Sequence, residues 1–316
     1  MTMFPLFLLL LSLSTQADAL PPVRMMSNAQ TETHYRIYTG GGKAVSIEDV
    51  LAALDRVEVA CVGELHDDPT GHAFEAELLE RAATRYEAGT DKSKQRTLIL
   101  SLEMFERDVQ IVLDEYLRGL IAERHFLASS RPWNNYEKDY RPLVEFAREH
   151  HLMVLAANAP ARYVNRVSRL GPDSLKDLTP PAKAWLPPLP YQPASPAYAA
   201  KFNQLMNGPQ MSGNAQSPHG NPFLLDAQSL RDATMAFAIT EQLKRQPAAL
   251  VLHINGNFHS EERLGVPEQL AHYRARARTL VITIVSDKSY PNFDTARLGP
   301  LGDFVILTDP SLSRSF

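Results

Sequence analysis

Glu64 and His66 stand two residues apart in the run Gly63-Glu64-Leu65-His66-Asp67-Asp68-Pro69. In an extended segment, side chains two apart leave the same face, so a carboxylate and an imidazole reach one point. A histidine oriented by a glutamate can serve as general base on a water. Two histidines with a carboxylate can instead hold a divalent metal and keep a position open. Two more residues of these types stand at comparable places: Glu103, at the end of an apolar run, and His259, in the turn Asn255-Gly256-Asn257-Phe258-His259. An ionised carboxylate ending a buried strand is costly unless paired, so the expected partner of Glu103 is a histidine or Arg231. The candidate pocket is therefore Glu64, His66, Glu103, Arg231 and His259, and its candidate metal ligands are His66, Glu103 and His259. No Gly-rich phosphate loop, Gly-x-Ser-x-Gly elbow or His-Glu-x-x-His helix decides between general-base and metal chemistry.

Residues so far apart meet only if the fold brings them together. Short β-rich apolar runs at 57–62, 97–102, 152–156, 250–254 and 280–285 alternate with helical periodicity at 47–54, 73–86, 109–117, 142–150 and 230–244. Ser46 is the expected cap of the first helix. This alternation predicts an α/β fold of three layers, α/β/α, with a mainly parallel sheet; 34–39 and 304–307 read as edge strands. In a parallel sheet, residues just after each strand converge on one crevice. The strand ends carry Glu64 and His66, then Glu103, Asn158, the 255–259 turn, and Asp287. Arg231 and Asp232 open the helix entering one of these strands and reach the same rim. Other candidates read as structural. His253 lies within a strand, His72 at a helix start, and His150-His151 at a helix end, while Cys61 reads as a buried, inert thiol. Trp133, Tyr136 and Tyr140 read as packing.

Composition narrows the function classes. The chain has 316 residues, 44% hydrophobic and 22% charged, with a net charge of −4, which excludes disorder and coiled coil. A pI near 6.2 without a basic block gives no footprint for nucleic acid. The single cysteine rules out an intrachain disulfide and any multi-cysteine metal site. Residues 1–19 read as a secretory signal peptide cleaved after Ala19, giving an exported, periplasmic protein. The apolar run at 4–13 falls short of the ~20 residues that span hydrocarbon, and no cysteine near the cleavage point offers a lipid anchor. The mature chain is expected to have no transmembrane span. Residues 20–316 read as one domain, with 180–222 inserted as a lid or small irregular subdomain. That segment holds ten of the 23 prolines and no Asp or Glu, and a short helix is predicted at 197–205.

Four motifs in order, Gly63-Glu64-Leu65-His66, Leu102-Glu103-Met104-Phe105, Ser229-Leu230-Arg231-Asp232-Ala233-Thr234-Met235-Ala236 and His253-Ile254-Asn255-Gly256-Asn257-Phe258-His259, resemble the ChaN-like haem-binding family. That family is related to the erythromycin esterases and the TIKI/TraB proteins, and the resemblance spans roughly residues 45–290. It implies the three-layer fold, export, and haem binding in bacterial iron acquisition, with tyrosine ligating the iron in family members. On the esterase side, His66, Glu103, Arg231 and His259 match positions associated with catalysis. On the TIKI side, the Gly-x-x-His turn matches metal-dependent proteolysis. Fold kinship alone does not select among these. Haem needs an apolar slot and an axial donor. The acid-free 180–222 segment offers Tyr191 and Tyr198 as candidate ligands, with His219 as a further one and Arg231 for a propionate. The expected function is thus haem binding in the cell envelope, for iron acquisition or storage. The alternative is a hydrolase in which His66 is the base, Glu103 orients it, and His259 or Arg231 stabilises negative charge. The expected partner is haem or another small molecule, and a homodimer stays open.

Overall fold

The computed structural model describes residues 34–86, 96–207 and 221–316. The signal-peptide reading, His219 and residues 208–220 of the proline-rich insertion lie outside these. Eight strands form one sheet: β1 (Tyr35–Thr39), β2 (Ala44–Val45), β3 (Val59–Glu64), β4 (Leu98–Glu106), β5 (Met153–Asn158), β6 (Leu250–Gly256), β7 (Thr279–Ser286) and β8 (Phe304–Thr308). Their order across the sheet is β2-β1-β8-β7-β3-β6-β4-β5. The six strands from β8 to β5 run parallel, and β1 and β2 add an antiparallel edge. The main helices are α1 (Ile47–Leu54), α2 (Pro69–Tyr86), α3 (Gln110–Leu117), α4 (Glu123–Ser130), α5 (Arg141–Glu149), α6 (Ala161–Leu170), α7 (Pro196–Met206), α8 (Leu224–Arg245) and α9 (Val266–Tyr273).

The period of two along each strand sorts side chains onto the two faces. Ala60 and Val62 of β3 join the core under α1, α2 and α5, with Leu100 and Leu102 of β4 and Leu252 and Ile254 of β6. Val59 and Cys61 point the other way, with Ile99 and Val251, against Met235, Ile239 and Leu243 of α8 and Leu270 of α9. Both faces are covered, which is why these strands read as unbroken apolar runs. Ser46 caps α1 as expected. Its hydroxyl accepts from the Asp49 N–H at 3.3 Å, and Asp49 accepts from the Ser46 N–H at 2.8 Å, a reciprocal cap that contributes about 1 kcal/mol.

Chain order and sheet order part company at β3. From β3 the chain moves past the place of β6 to β4 and then β5, and later returns to lay β6 between β3 and β4 before crossing to β7. Register then does the assembling. Glu64 of β3 lies beside Gly256 of β6, and Leu102 of β4 beside Ile254 of β6. Glu64, Glu103 and the 255–259 turn therefore emerge side by side at the carboxyl edge, where such sheets hold ligands.

The described part of the proline-rich insertion is a packed structure. Leu186 and Tyr191 join a small core with Val164 and Val167 of α6 and Ala227 and Leu230 of α8. The helix expected at 197–205 is α7, capped by Ser195. Lys201 of α7 reaches the carbonyls of Phe258 and Glu261 at 3.2 and 3.3 Å, which ties the insertion to the turn after β6. No helix among the described residues is long and apolar enough to cross a membrane.

Cys61 is fully buried, and burial pushes its thiol up to about 12. A thiol reagent at neutral pH is expected to label it only in denaturant, and stoichiometric labelling of the native chain would contradict this burial.

Candidate functional site

Two carboxylate-held imidazoles, His66 and His259, stand at the carboxyl edge of the sheet. On one side, the His66 Nδ1–H donates to Glu64 Oε1 at 2.7 Å, as the two-residue spacing predicts. The Tyr140 hydroxyl donates to the same carboxylate oxygen. Glu64 is buried at 2% exposure while the His66 side chain keeps 42%, so the acid anchors a ring that meets solvent. On the other side, His259 sits between two acids, its Nδ1 2.6 Å from Asp232 and its Nε2 3.2 Å from Glu103. The second oxygen of Glu103 accepts from the Gly256 N–H at 2.8 Å. The four residues read from the sequence as neighbours, Glu64, His66, Glu103 and His259, stand together at the carboxyl edge; Glu64, Glu103 and His259 are buried there, and His66 opens to a cleft.

Gly256 makes the arrangement possible. A Cβ there would come within 2.8 Å of His66 Nε2 and 2.9 Å of its Cε1, so the missing side chain leaves the space into which His66 points. Gly63 answers a different need. Its Cβ would meet Asn257 Cα at 2.8 Å and Ser260 Oγ at 2.9 Å, so only glycine lets β3 pass this close to the turn that carries His259.

Charge is concentrated here. Burial alone would strip the proton from His259, but Glu103 and Asp232 outweigh it and raise its pKa to about 10. Burial likewise acts to raise Glu103, yet His259, His66 and the Gly256 N–H hold it well below the usual carboxylate range. Burial prevails at Asp232, whose pKa is raised. For His66, burial opposes the proton and Glu64 retains it, with a net rise. The site thus holds one buried imidazolium and one solvent-facing imidazole of increased basicity, a pair suited to moving a proton between them and a bound group.

Several sequence expectations are redirected. Arg231 is half-buried, and the residue that α8 presents to His259 is its neighbour Asp232. Asp287 makes a two-bond ion pair with Arg297 at 2.7 and 2.8 Å, and Asn158 bonds its own neighbour's N–H. His253 accepts its place in the core beside Ser101 at 3.0 Å, and burial lowers it to about 4. Tyr140, read as packing, is a partner of Glu64. His72, read at a helix start as either facing the crevice mouth or solvated, is 5% exposed. Its Nε2–H donates to the His66 carbonyl at 3.2 Å, and its Nδ1 lies 3.1 Å from Glu75 and 3.3 Å from Glu64. Among the described residues, the metal-type donor atoms that gather within 4.8 Å of one another belong to Glu64, His72 and Glu75, a different set from His66, Glu103 and His259.

Beside His66 the surface opens into a cleft of about 710 Å³ lined by Trp133, Asn135, Lys138 and Phe316. The Trp133 ring packs edge-on to His66, centroids 4.7 Å apart, and Asn135 fixes the His66 carbonyl at 2.9 Å. Neither tyrosine proposed for iron reaches this cleft. The Tyr191 hydroxyl donates to the Asp226 carbonyl at 2.8 Å, and Tyr198, 1% exposed, turns its hydroxyl toward Asp232 and Gln228.

An open parallel sheet wound on both faces, with paired imidazoles and acids at its carboxyl edge, defines a class, and sequence comparison gives the family. Residues 50–270 match the family described as "Haem-binding uptake, Tiki superfamily, ChaN", and the chain belongs to it. Among solved structures, ChaN of Campylobacter jejuni, described with cofacial heme binding, superposes with a TM-score of 0.63 at 17% identity, covering 87% of this chain and 97% of that one. An erythromycin esterase mutant, EreC, in its open conformation, gives a TM-score of 0.43 at 12% identity, covering 87% and 83%. Among curated proteins, no sequence matches significantly.

Proposed function

We propose that this member of a haem-binding family binds haem in the cleft beside His66, as an exported protein of the bacterial cell envelope serving haem or iron acquisition or storage. The cleft carries the proposal. Its volume lies within the range of small-molecule sites. Trp133, Pro132 and Phe316 offer apolar wall, and Lys138 offers a cation for a propionate. Of the residue types that ligate haem iron, the cleft lining includes, among the described residues, histidine, at His66, and no tyrosine. As the ring stands, Nε2 faces Gly256, so Trp133 and the exposed edge of the imidazole would hold the haem, and His66 would ligate iron only with its ring turned outward.

Haemin titrated into the purified chain is expected to give a saturable Soret shift. In Trp133→Ala the affinity should fall about tenfold, the order of one lost aromatic contact of 1–1.5 kcal/mol, and His66→Ala should displace the bound band. Tyr191→Phe and Tyr198→Phe should leave the spectrum unchanged. Absence of a saturable shift would overturn haem binding, and a shift indifferent to Trp133 and His66 would move it elsewhere.

One observation favours a second reading. His66 and His259, each held by its own acid, both lie within electrostatic reach of Glu103, so a hydrolase would have a base at His66 and a proton held at His259. Turnover of an ester library abolished by His66→Ala supports it, and a silent screen sets it aside.

A further inference from the structure

Behind His66 lies a second convergence that shares Glu64 with the pocket and adds residues the pocket does not use. Glu64 ends β3, while His72 and Glu75 stand three apart on α2 and so share one helix face. All three are buried, at 2%, 5% and 0% exposure. The His72 Nε2–H is committed to the His66 carbonyl at 3.2 Å, whose oxygen Asn135 also holds. That leaves Nδ1 aimed at Glu75 Oε2 and Glu64 Oε2, 3.1 and 3.3 Å away. Nδ1 and two carboxylate oxygens thus converge inside the protein, where a proton or a cation must lie between them. Asp139 adds another buried carboxylate 3.9 Å from the far side of the ring. The Oε1 atom of Glu75, in a fully buried side chain, has no hydrogen-bond partner. Buried acids outnumber the single imidazole, and a buried charge without compensation is expensive.

A divalent cation resolves this arrangement. Around a tetrahedral ion with bonds of 2.0–2.2 Å, neighbouring donors lie about 3.4 Å apart, close to the two separations observed. A histidine that ligates through one nitrogen and donates the other to a backbone carbonyl is the usual form of a metal-bound imidazole. One imidazole with two carboxylates suits zinc, manganese or ferrous iron. We propose that Glu64, His72 and Glu75 form a buried site for a divalent transition-metal ion. The ion ties the end of β3 to the first turns of α2. It also fixes Glu64, whose other oxygen holds His66, so it is a positioning element behind the cleft. The proposal does not depend on what occupies that cleft.

The chain, unfolded with chelator and refolded with Zn²⁺, Mn²⁺ or Co²⁺, is passed through a chelating column and assayed by elemental analysis. One ion per chain is expected for at least one metal, with a raised Tm and, for Co²⁺, visible absorption of a low-symmetry site. Glu75→Gln preserves shape and should weaken binding by more than about tenfold, the loss usual even for an outer partner of a metal site. His72→Ala should abolish binding, and His150→Ala on the surface should not alter it. If chelator-treated chain refolds to the native circular dichroism yet takes up none of the three ions, the proposal fails. It fails equally if Glu75→Gln and His72→Ala keep a full complement of ion. Should His72→Ala not fold, the Glu75→Gln result decides alone.

Discussion

Replacing Glu103 by alanine should cost about 3–5 kcal/mol in urea unfolding, the range for stranding one charge of a buried pair. Glu103 is the partner of His259 Nε2 and the acceptor of the Gly256 N–H, and both donors lie where water cannot replace it. Glu103→Gln keeps an oxygen for Gly256 and loses the charge, so it should cost less. A loss under about 1 kcal/mol in Glu103→Ala would mean that Asp232 alone compensates the imidazolium. The same pairing sets a pH dependence with a definite sign. The pKa of His259 is about 10 in the fold against 6.5 when free. A raised histidine contributes stability that is fully present below 6.5 and is lost as pH rises through about 10. Tm should therefore fall between pH 7 and 10, by roughly 2 °C for each ~1 kcal/mol withdrawn in a domain this large. Glu103→Gln, having lost the anion that retains the proton, should flatten that slope. A wild-type Tm constant across the interval would show that His259 is already neutral at pH 7.

Two glycines placed within a few ångströms of each other should answer to alanine in opposite ways. In Gly63→Ala the new methyl lies 2.8 Å from the Asn257 Cα, and backbone cannot step aside without moving the turn that carries His259. Overpacking of this kind costs typically 1–3 kcal/mol, and the thermal transition should drop accordingly. In Gly256→Ala the methyl meets the tip of the His66 ring at 2.8 Å, a side chain with 42% of its surface open to solvent. The ring should swing out, leaving stability within about 1 kcal/mol of wild type and breaking its bond to Glu64. Imidazole nitrogen shifts in NMR, which report the Nδ1 hydrogen bond, should then change in Gly256→Ala while the unfolding curve hardly moves. Equal destabilisation by the two substitutions would refute the distinction.

The layers, the parallel sheet and the meeting of Glu64, His66, Glu103 and His259 were legible because buried strands announce themselves as short apolar runs and their ends share an edge by topology. The supporting groups were not. Tyr140 belongs to a short π-helix, Tyr136–Tyr140, whose composition reads as ordinary aromatic core, and only the tertiary path turns its hydroxyl to Glu64. Arg231 and Asp232 are adjacent on α8, about 100° apart around the axis, so strand-end logic reached the right turn of helix, and the tertiary packing turns Asp232 to His259. His72 depends on where α2 begins. The Thr70 N–H bonds Asp68 Oδ1 at 3.1 Å and the His72 N–H bonds the Asp68 carbonyl at 3.0 Å, which starts the helix early enough to turn His72 inward. Glu75 carries no sequence signal, because hydrophobic periodicity cannot mark an acid on the buried face. The tyrosines of the proline-rich segment were read for their chemistry; the Tyr191 hydroxyl donates to the Asp226 carbonyl, while the Tyr198 hydroxyl is buried near Asp232 without a hydrogen-bond partner.

Gln110 of α3 donates to the Val154 carbonyl at 2.8 Å and accepts from the Ala156 N–H at 2.7 Å. Those two groups lie on the outermost strand, β5, which has β4 as its one neighbour in the sheet. The side-chain amide copies the hydrogen bonds that another strand would make, so the ladder is terminated from within the same molecule. At the opposite border the terminal strand is only two residues long. With one margin plugged and the other abbreviated, the protein offers little template for runaway strand addition between molecules, a useful property for a fold carrying so much apolar β-structure.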